Sequence, residues 1–278
     1  MVCRAGAGRS GDGAADPRRG ECCRPALGRA DAGRTDPRAH PARRLSFGEQ
    51  AKLMSGDLQA VWLTALLAAT TTLLLVPLAS LLAWWLARST SSYRSVIEAV
   101  VAMPLVLPPT VLGFYLLIML NPESAVGSLW VKLTGESLTF SFSGLVIASV
   151  IYSLPFMVQP LQAAFRAVPE SVLEAAATLG ASPRDRWLNV VLPVAKRGYL
   201  TGCVLTFAHT VGEFGVVLMM GGNIPGETRV LSIAIYEHVE TLNYDAAHVL
   251  ALGLLSFSFL SLWLVYRYAG HRFEVIRG

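Results

Sequence analysis

The sequence predicts an all-α integral membrane protein crossing the bilayer about five times. Three observations predict it. Only 15% of the 278 residues are charged and 53% are hydrophobic, with a mean hydropathy of +0.49; a soluble domain carries roughly 25% charged residues. The deficit is concentrated in long uncharged runs. The Lys and Arg residues between those runs fall almost entirely on alternate loops.

Residues 1–53 hold 11 Lys/Arg and 6 Asp/Glu, and residues 54–278 hold 12 and 13. The basic excess therefore belongs to an N-terminal arm rich in Ala, Arg, Gly, Pro and Asp, and the rest is nearly neutral. A nucleic-acid reading of the basic pI fails, because no basic patch sits on a folded module. The arm shows no helical or strand period and is expected to be disordered. Met54 opens MSGDLQAVWLTALLAATTT, a natural start just before the first apolar run. The simplest reading is that the arm is a start-site artefact and that the working domain is 54–278. Cys3, Cys22 and Cys23 lie in the arm, and Cys203 sits in an apolar run as a small hydrophobe.

The first span is expected at about 60–87, ending near Trp84-Trp85. It is too long for a signal-peptide core and lacks a cleavage site after it. The second, about 96–120, has Glu98 near its start, one turn from Arg94, and Pro104, Pro108 and Pro109 inside. The third, about 142–165, carries Pro155, Gln159 and Pro160. The fourth, about 198–220, carries His209 and Glu213, which a continuous helix would place on one face as a hydrogen-bonded pair. The fifth, about 246–268, begins near His248 and ends at Arg267. Backbone groups cannot stay unpaired in lipid, so each run is expected to be helical. The segment 223–245 is too charged to span. Val230, Ala234, His238 and Leu242 recur in it at helical spacing, among Arg229, Glu237 and Glu240, which suggests a surface or re-entrant helix.

Loops 88–95 and 166–197 and the tail 267–278 share one side and hold Arg88, Arg94, Arg166, Arg184, Arg186, Lys196, Arg197, Arg267, Arg272 and Arg277. Loops 121–141 and 221–245 hold only Lys132 and Arg229. Ten against two puts the first set, with the C-terminus, in the cytoplasm and the start of the core outside. The arm breaks this rule unless the chain starts near Met54.

Loop 166–197 is specified locally. Pro169 suits the first position of a helix and Glu170 its N-terminus. Gly180 suits a left-handed C-terminal turn. Ser182, Pro183 and Asp185 form a capping-box-like start. Two short helices joined by a glycine turn are expected.

The run Glu174-Ala175-Ala176-Ala177-Thr178-Leu179-Gly180, followed by Leu192-Pro193, resembles the EAA loop of bacterial binding-protein-dependent ABC permeases. The resemblance covers about residues 58–272. Residues 103–113 (MPLVLPPTVLG) and 211–229 (VGEFGVVLMMGGNIPGETR) resemble molybdate permeases, and less closely the two sulfate permeases; the stretch 223–229 points to molybdate, with tungstate as the alternative. The resemblance implies a type I importer transmembrane domain whose loop, through Glu174, Ala175, Ala176, Gly180, Leu192 and Pro193, docks in a groove of a separate ATPase. It implies two copies of that ATPase carrying ATP and Mg, an extracytoplasmic oxyanion-binding protein, pairing of two permeases about a two-fold axis, and residence in the bacterial inner membrane.

The residues agree with these expectations. No GxxxxGK[ST] run occurs, so the chain has no phosphate-cradling loop of its own and no cofactor is expected on it. No Lys or Arg lies inside a span, so a dianion would be guided by hydroxyls and backbone N–H groups. Pro108, Pro109 and Thr110 are candidates for such a path, with a simple packing kink as the alternative. Glu213 is a gate candidate through hydrogen bonding, since a carboxylate would repel the anion directly. His209 and Glu213 alone make neither a metal site nor a nucleophile–base pair, which argues against an intramembrane enzyme. An ion-coupled secondary transporter would leave the EAA run without a purpose and usually shows internal repeats.

Overall fold

A computed structural model describes the backbone of residues 47–269 and the side chains of residues 55–267. These residues fall within one unit, Leu45–Gly278. They form helices α1 (Phe47–Arg88), α2 (Arg94–Ala102), α3 (Pro109–Leu120), α4 (Ala125–Thr134), α5 (Phe142–Arg166), α6 (Glu170–Thr178), α7 (Pro183–Arg186), α8 (Leu192–Gly212), α9 (Gly215–Gly221), α10 (Leu231–Glu240) and α11 (Tyr244–Ala269). Among the described residues there is no strand. The helix of the first span runs back to Phe47, so the last residues of the basic arm are helical, contrary to expectation. Residues 1–46 of the arm lie outside the described residues.

Four stretches are long and apolar enough to cross a membrane: Ser55–Arg88, Phe142–Arg166, Pro183–Gly212 and Tyr244–Arg267. The expected second span differs from a single helix. It is α2, a 3₁₀ turn at Met103–Leu105 and α3, bent by 109°. Proline is the cause: Pro109 occupies the first position of α3, Pro108 is its extended cap, and neither can continue a helix from before.

The packing shows that this bent pair crosses the bundle. One apolar cluster joins Leu75, Ala79, Ala83 and Leu86 of α1 to Val101 of α2, Leu161 and Phe165 of α5, and Ala195 of α8. A second joins Leu67 of α1 to Leu116 and Leu120 of α3, Leu145 of α5, Val216, Val217 and Met220 of α9, and Ile233 of α10. The ends of α1 and α5 meet directly, since Arg88 donates to Val168 O at 2.8 Å and to Phe165 O at 3.3 Å. Helices α1 and α5 therefore run parallel, and the chain between them must cross once. A re-entrant hairpin would return α5 in the opposite direction. The architecture thus has five crossings, the second of them broken.

In lipid, helix association rests on close packing rather than on water exclusion. Ala60, Ala68, Ala79 and Ala83 of α1 are fully buried. Helices α5 and α8 approach over Gly198 and Gly202, where an added Cβ would fall 2.5 Å from Ala164 Cβ and 2.7 Å from Met157 Sδ. Glu98 pairs with Arg94 as its spacing predicts, at 3.2 Å, and also accepts from Gln162 at 2.6 Å and Arg166 at 2.7 Å, fastening α2 to the end of α5. Cys203 packs against the first apolar cluster.

The fourth span departs from expectation at both ends. It starts at Pro183 and reaches α8 through a π-helical turn at Trp187–Val191, so α7 opens a long helix rather than being a separate short one. It stops at Gly212; Glu213 is extended (ψ 133°) and α9 restarts at Gly215. In loop 121–141, read from sequence only as a connection, α4 starts at Ser124, whose hydroxyl accepts from Gly127 N at 2.9 Å, and ends at left-handed Gly135.

Segment 223–245 is buried in its middle, at residues 228–234 and His238, and exposed towards both ends, so it is not a purely superficial helix. Helix α10 buries Leu231, Ser232, Ile233, Ala234 and His238. It ends at Glu240, so Leu242, with φ +59°, leaves the helical face and is exposed. Arg229 is a buried cation rather than a surface charge. Its terminal nitrogen lies 3.3 Å from Asp57 and its Nε 2.9 Å from Glu237, the latter an ion pair without good hydrogen-bond alignment. His238 Nε2 meets both Asp57 oxygens at 3.1 Å. These contacts fix α10 to the start of α1.

Candidate functional site

Two sites emerge, at different levels of the bundle. The first is loop 167–191. Pro169 is the cap of α6 rather than its first residue, and Glu170 opens the helix. The C-terminal turn is closed by Ala181 N donating to Ala176 O and Gly180 N donating to Ala177 O, both at 3.0 Å. Gly180 has φ +81°, the left-handed geometry that glycine adopts at least cost. Ser182 and Asp185 then form a complete capping box: Asp185 N donates to Ser182 Oγ, and Ser182 N donates to Asp185 Oδ2, each at 3.2 Å. A cap of this kind is worth about 1 kcal/mol. Neither α6 nor α7 buries a residue, and Leu179 at the apex is 88% exposed. Glu174, Ala175, Ala176 and Gly180 thus lie on one projecting hairpin. Leu192 and Pro193 stand apart, in the first turn of α8.

The second site is a cavity of about 550 Å³ where both breaks meet, lined by Pro109, Thr110, Tyr152, His209, Glu213 and Gly215 among others. The start of α3 abuts the start of α9, since a Cβ on Gly215 would lie 2.7 Å from Pro109 Cβ. Thr110 opens onto this space and Pro108 turns the chain into it. The expected His209–Glu213 pair does not form, because the helix ends between them. Each reaches a serine of α5 instead. Ser149 Oγ donates to Glu213 Oε2 at 3.1 Å, while Glu213 Oε1 is buried with no hydrogen-bond partner among the described residues. Ser232 Oγ donates to the carbonyl of Glu213, at 2.5 Å, that the break frees.

His209 is held by a chain of hydroxyls. Thr210 uses its one hydroxyl proton on Thr206 O at 2.9 Å. Ser153 must then donate to Thr210 at 3.1 Å and accept from His209 Nδ1–H at 3.0 Å. The ring also stacks on Phe156, with centroids 4.0 Å apart. Among the described residues no group of three His, Cys, Asp or Glu side chains could hold a metal ion.

Sequence reasoning identified Pro109, Thr110 and Glu213 in this cavity but missed Tyr152. It also missed Ser149 and Ser153, whose four-residue spacing on α5 was the available signal.

The family described as binding-protein-dependent transport system inner membrane component matches residues 56–272. The molybdenum transport system permease protein ModB of Azotobacter vinelandii is 54% identical over 214 residues, covering 77% of this chain and 95% of that protein. The sulfate transport system permease protein CysT of Synechocystis is 33% identical over 186 residues, covering 67% of this chain and 65% of that one. A chain of a bacterial alginate ABC transporter, solved in complex with an alginate pentasaccharide-bound periplasmic protein, shares the fold with a TM-score of 0.63 at 17% identity, over 80% of this chain and 82% of that one.

Proposed function

Because this chain belongs to the family of binding-protein-dependent transport system inner membrane components, we propose that it is the permease subunit of an ATP-driven importer that moves molybdate across the bacterial cytoplasmic membrane. The observation that carries this reading is the exposed hairpin Glu174–Gly180, closed by its glycine turn, on a chain 54% identical to a molybdenum permease. The lower identity to the sulfate permease, 33%, makes sulfate the weaker substrate.

The domain that carries the function is 54–278. ATP and Mg bind two copies of a separate ATPase, and Glu174, Ala175, Ala176 and Gly180 enter its groove, with Leu192 and Pro193 bracing the exit of the loop. A second copy of the permease completes the path about a two-fold axis. An extracytoplasmic binding protein delivers the oxyanion and supplies most of the selectivity. Loop 166–197 and the C-terminus face the cytoplasm.

Within the membrane the anion passes the cavity at the two breaks. Thr110, through its hydroxyl and its own N–H, holds it weakly, which suits passage better than a fixed cation would; the next two N–H groups, of Val111 and Leu112, already donate to Pro108 O. Glu213 acts as a gate support. Its side chain is tied to α5 through Ser149 and its backbone to α10 through Ser232, so closure of the break is coupled to both helices.

Reconstitution with the ATPase and the binding protein tests the reading. ATP-dependent uptake of molybdate should be blocked by excess tungstate and little affected by excess sulfate. Uptake that runs down an ion gradient without the ATPase would sink it.

A further inference from the structure

The coupling loop has two roots, and both rest on the last turn of α1. The entry root is the end of α5. Few of its closing carbonyls have a helical partner ahead of them; Phe165 O accepts from Val168 N at 3.3 Å and from the Arg88 guanidinium at 3.3 Å, and Arg88 also donates to Val168 O, two residues past the helix, at 2.8 Å. The exit root is the π-helical turn Trp187–Val191. Trp187 packs edge-on against Trp84, centroids 4.9 Å apart, and at 5.5 Å against Phe165. Trp84 in turn meets Phe165 edge-on at 5.4 Å and lies under the Arg88 guanidinium, 5.1 Å from its carbon. Phe165 and Val168 are fully buried.

Between the roots, α6 and α7 bury nothing. Apart from a partly buried contact of Leu173 with the first apolar cluster, a push on the exposed hairpin therefore reaches the bundle through residues 165–168 and 187–191. The π turn is not incidental here, since an inserted residue re-aims the side chains that follow, and such turns recur at functional positions.

We infer that Trp84 and Arg88 form a socket that locks the two roots of loop 166–197 together, and that Arg88 is a positioning residue for energy coupling. The inference rests on the coupling role proposed for residues 174–180. With the socket intact, α1, α5 and α8 move as one body when the hairpin is displaced. Without Arg88, the end of α5 loses its two bonds to α1 and the hairpin can move without carrying the bundle.

The test is ATP hydrolysed per molybdate imported, measured on the reconstituted complex of permease, ATPase and binding protein. R88A should raise that ratio roughly tenfold, towards the lower end of the usual range for coupling between sites. R88K keeps a donor for the carbonyls and should return the ratio toward that of the unmodified protein. R94A removes another cation at the same end of the bundle and should leave the ratio unchanged. A cap that merely stabilises α5 would lower uptake and hydrolysis together at constant ratio, and that result overturns the inference. If R88A does not assemble, W187F carries the test: a raised ratio supports the socket, and an unchanged ratio overturns it. Absence of ATP-driven uptake by the unmodified complex would instead remove the coupling role on which the inference stands.

Discussion

Gly180 shows how far a single residue can be read from its neighbours. Its left-handed turn follows from Ala-rich helix before it and a Ser-Pro-x-Asp start after it, and the observed φ of +81° agrees. Valine there would cost roughly 1–2 kcal/mol of backbone energy. Nothing lies within 4 Å of the added Cβ, so the effect is conformational rather than steric. Gly180→Val should insert normally and lose ATP-driven uptake; membrane-fraction immunoblots beside uptake assays separate the two. Arg229 shows the opposite case. Its burial depends on Asp57, 172 residues away, and no local pattern in 223–245 announces that partner. The same holds for His209 and Glu213, whose serine partners sit on another helix. Capping and turn chemistry is local and legible, whereas a buried polar partner is set by tertiary packing.

Elements were legible to the extent that hydropathy or proline marks them. The four continuous apolar runs and the proline break before α3 are visible in the sequence. The break at Glu213 is not, because it has no proline; its only local sign is the pair of glycines at 212 and 215. What stabilises it comes from elsewhere, with Ser232 on α10 satisfying the freed carbonyl and Ser149 on α5 holding the carboxylate. An unpaired buried carbonyl costs about 1–3 kcal/mol. Ser232→Ala should accordingly lower the thermal midpoint of the detergent-solubilised protein, and Ser149→Ala should lower it separately. An unchanged midpoint in Ser232→Ala would mean that the break holds without α10.

That loops 88–95 and 166–197 share one side of the bundle follows from joining two independent arguments. The charge count puts loops 88–95 and 166–197 on one side. The Arg88 bonds to Phe165 and Val168 bring the same two regions together in space, without reference to charge. If α2 and α3 instead formed a re-entrant loop, residues 89–141 would all lie on one side, and the positive residues would divide eight to four rather than ten to two. The broken-span arrangement is favoured by both. It predicts the labelling of single cysteines introduced into a chain whose own four cysteines have been replaced. A cysteine at Ser124, ahead of α4, should react with an impermeant maleimide in intact cells. Cysteines at Ser91 and Ala181 should react only after the membrane is opened, and should do so together. Reaction of Ser91 alongside Ser124 in intact cells would make α2 and α3 re-entrant and would contradict the packing at Arg88. Reaction of Ala181 in intact cells would place the hairpin outside, beyond reach of any cytoplasmic ATPase.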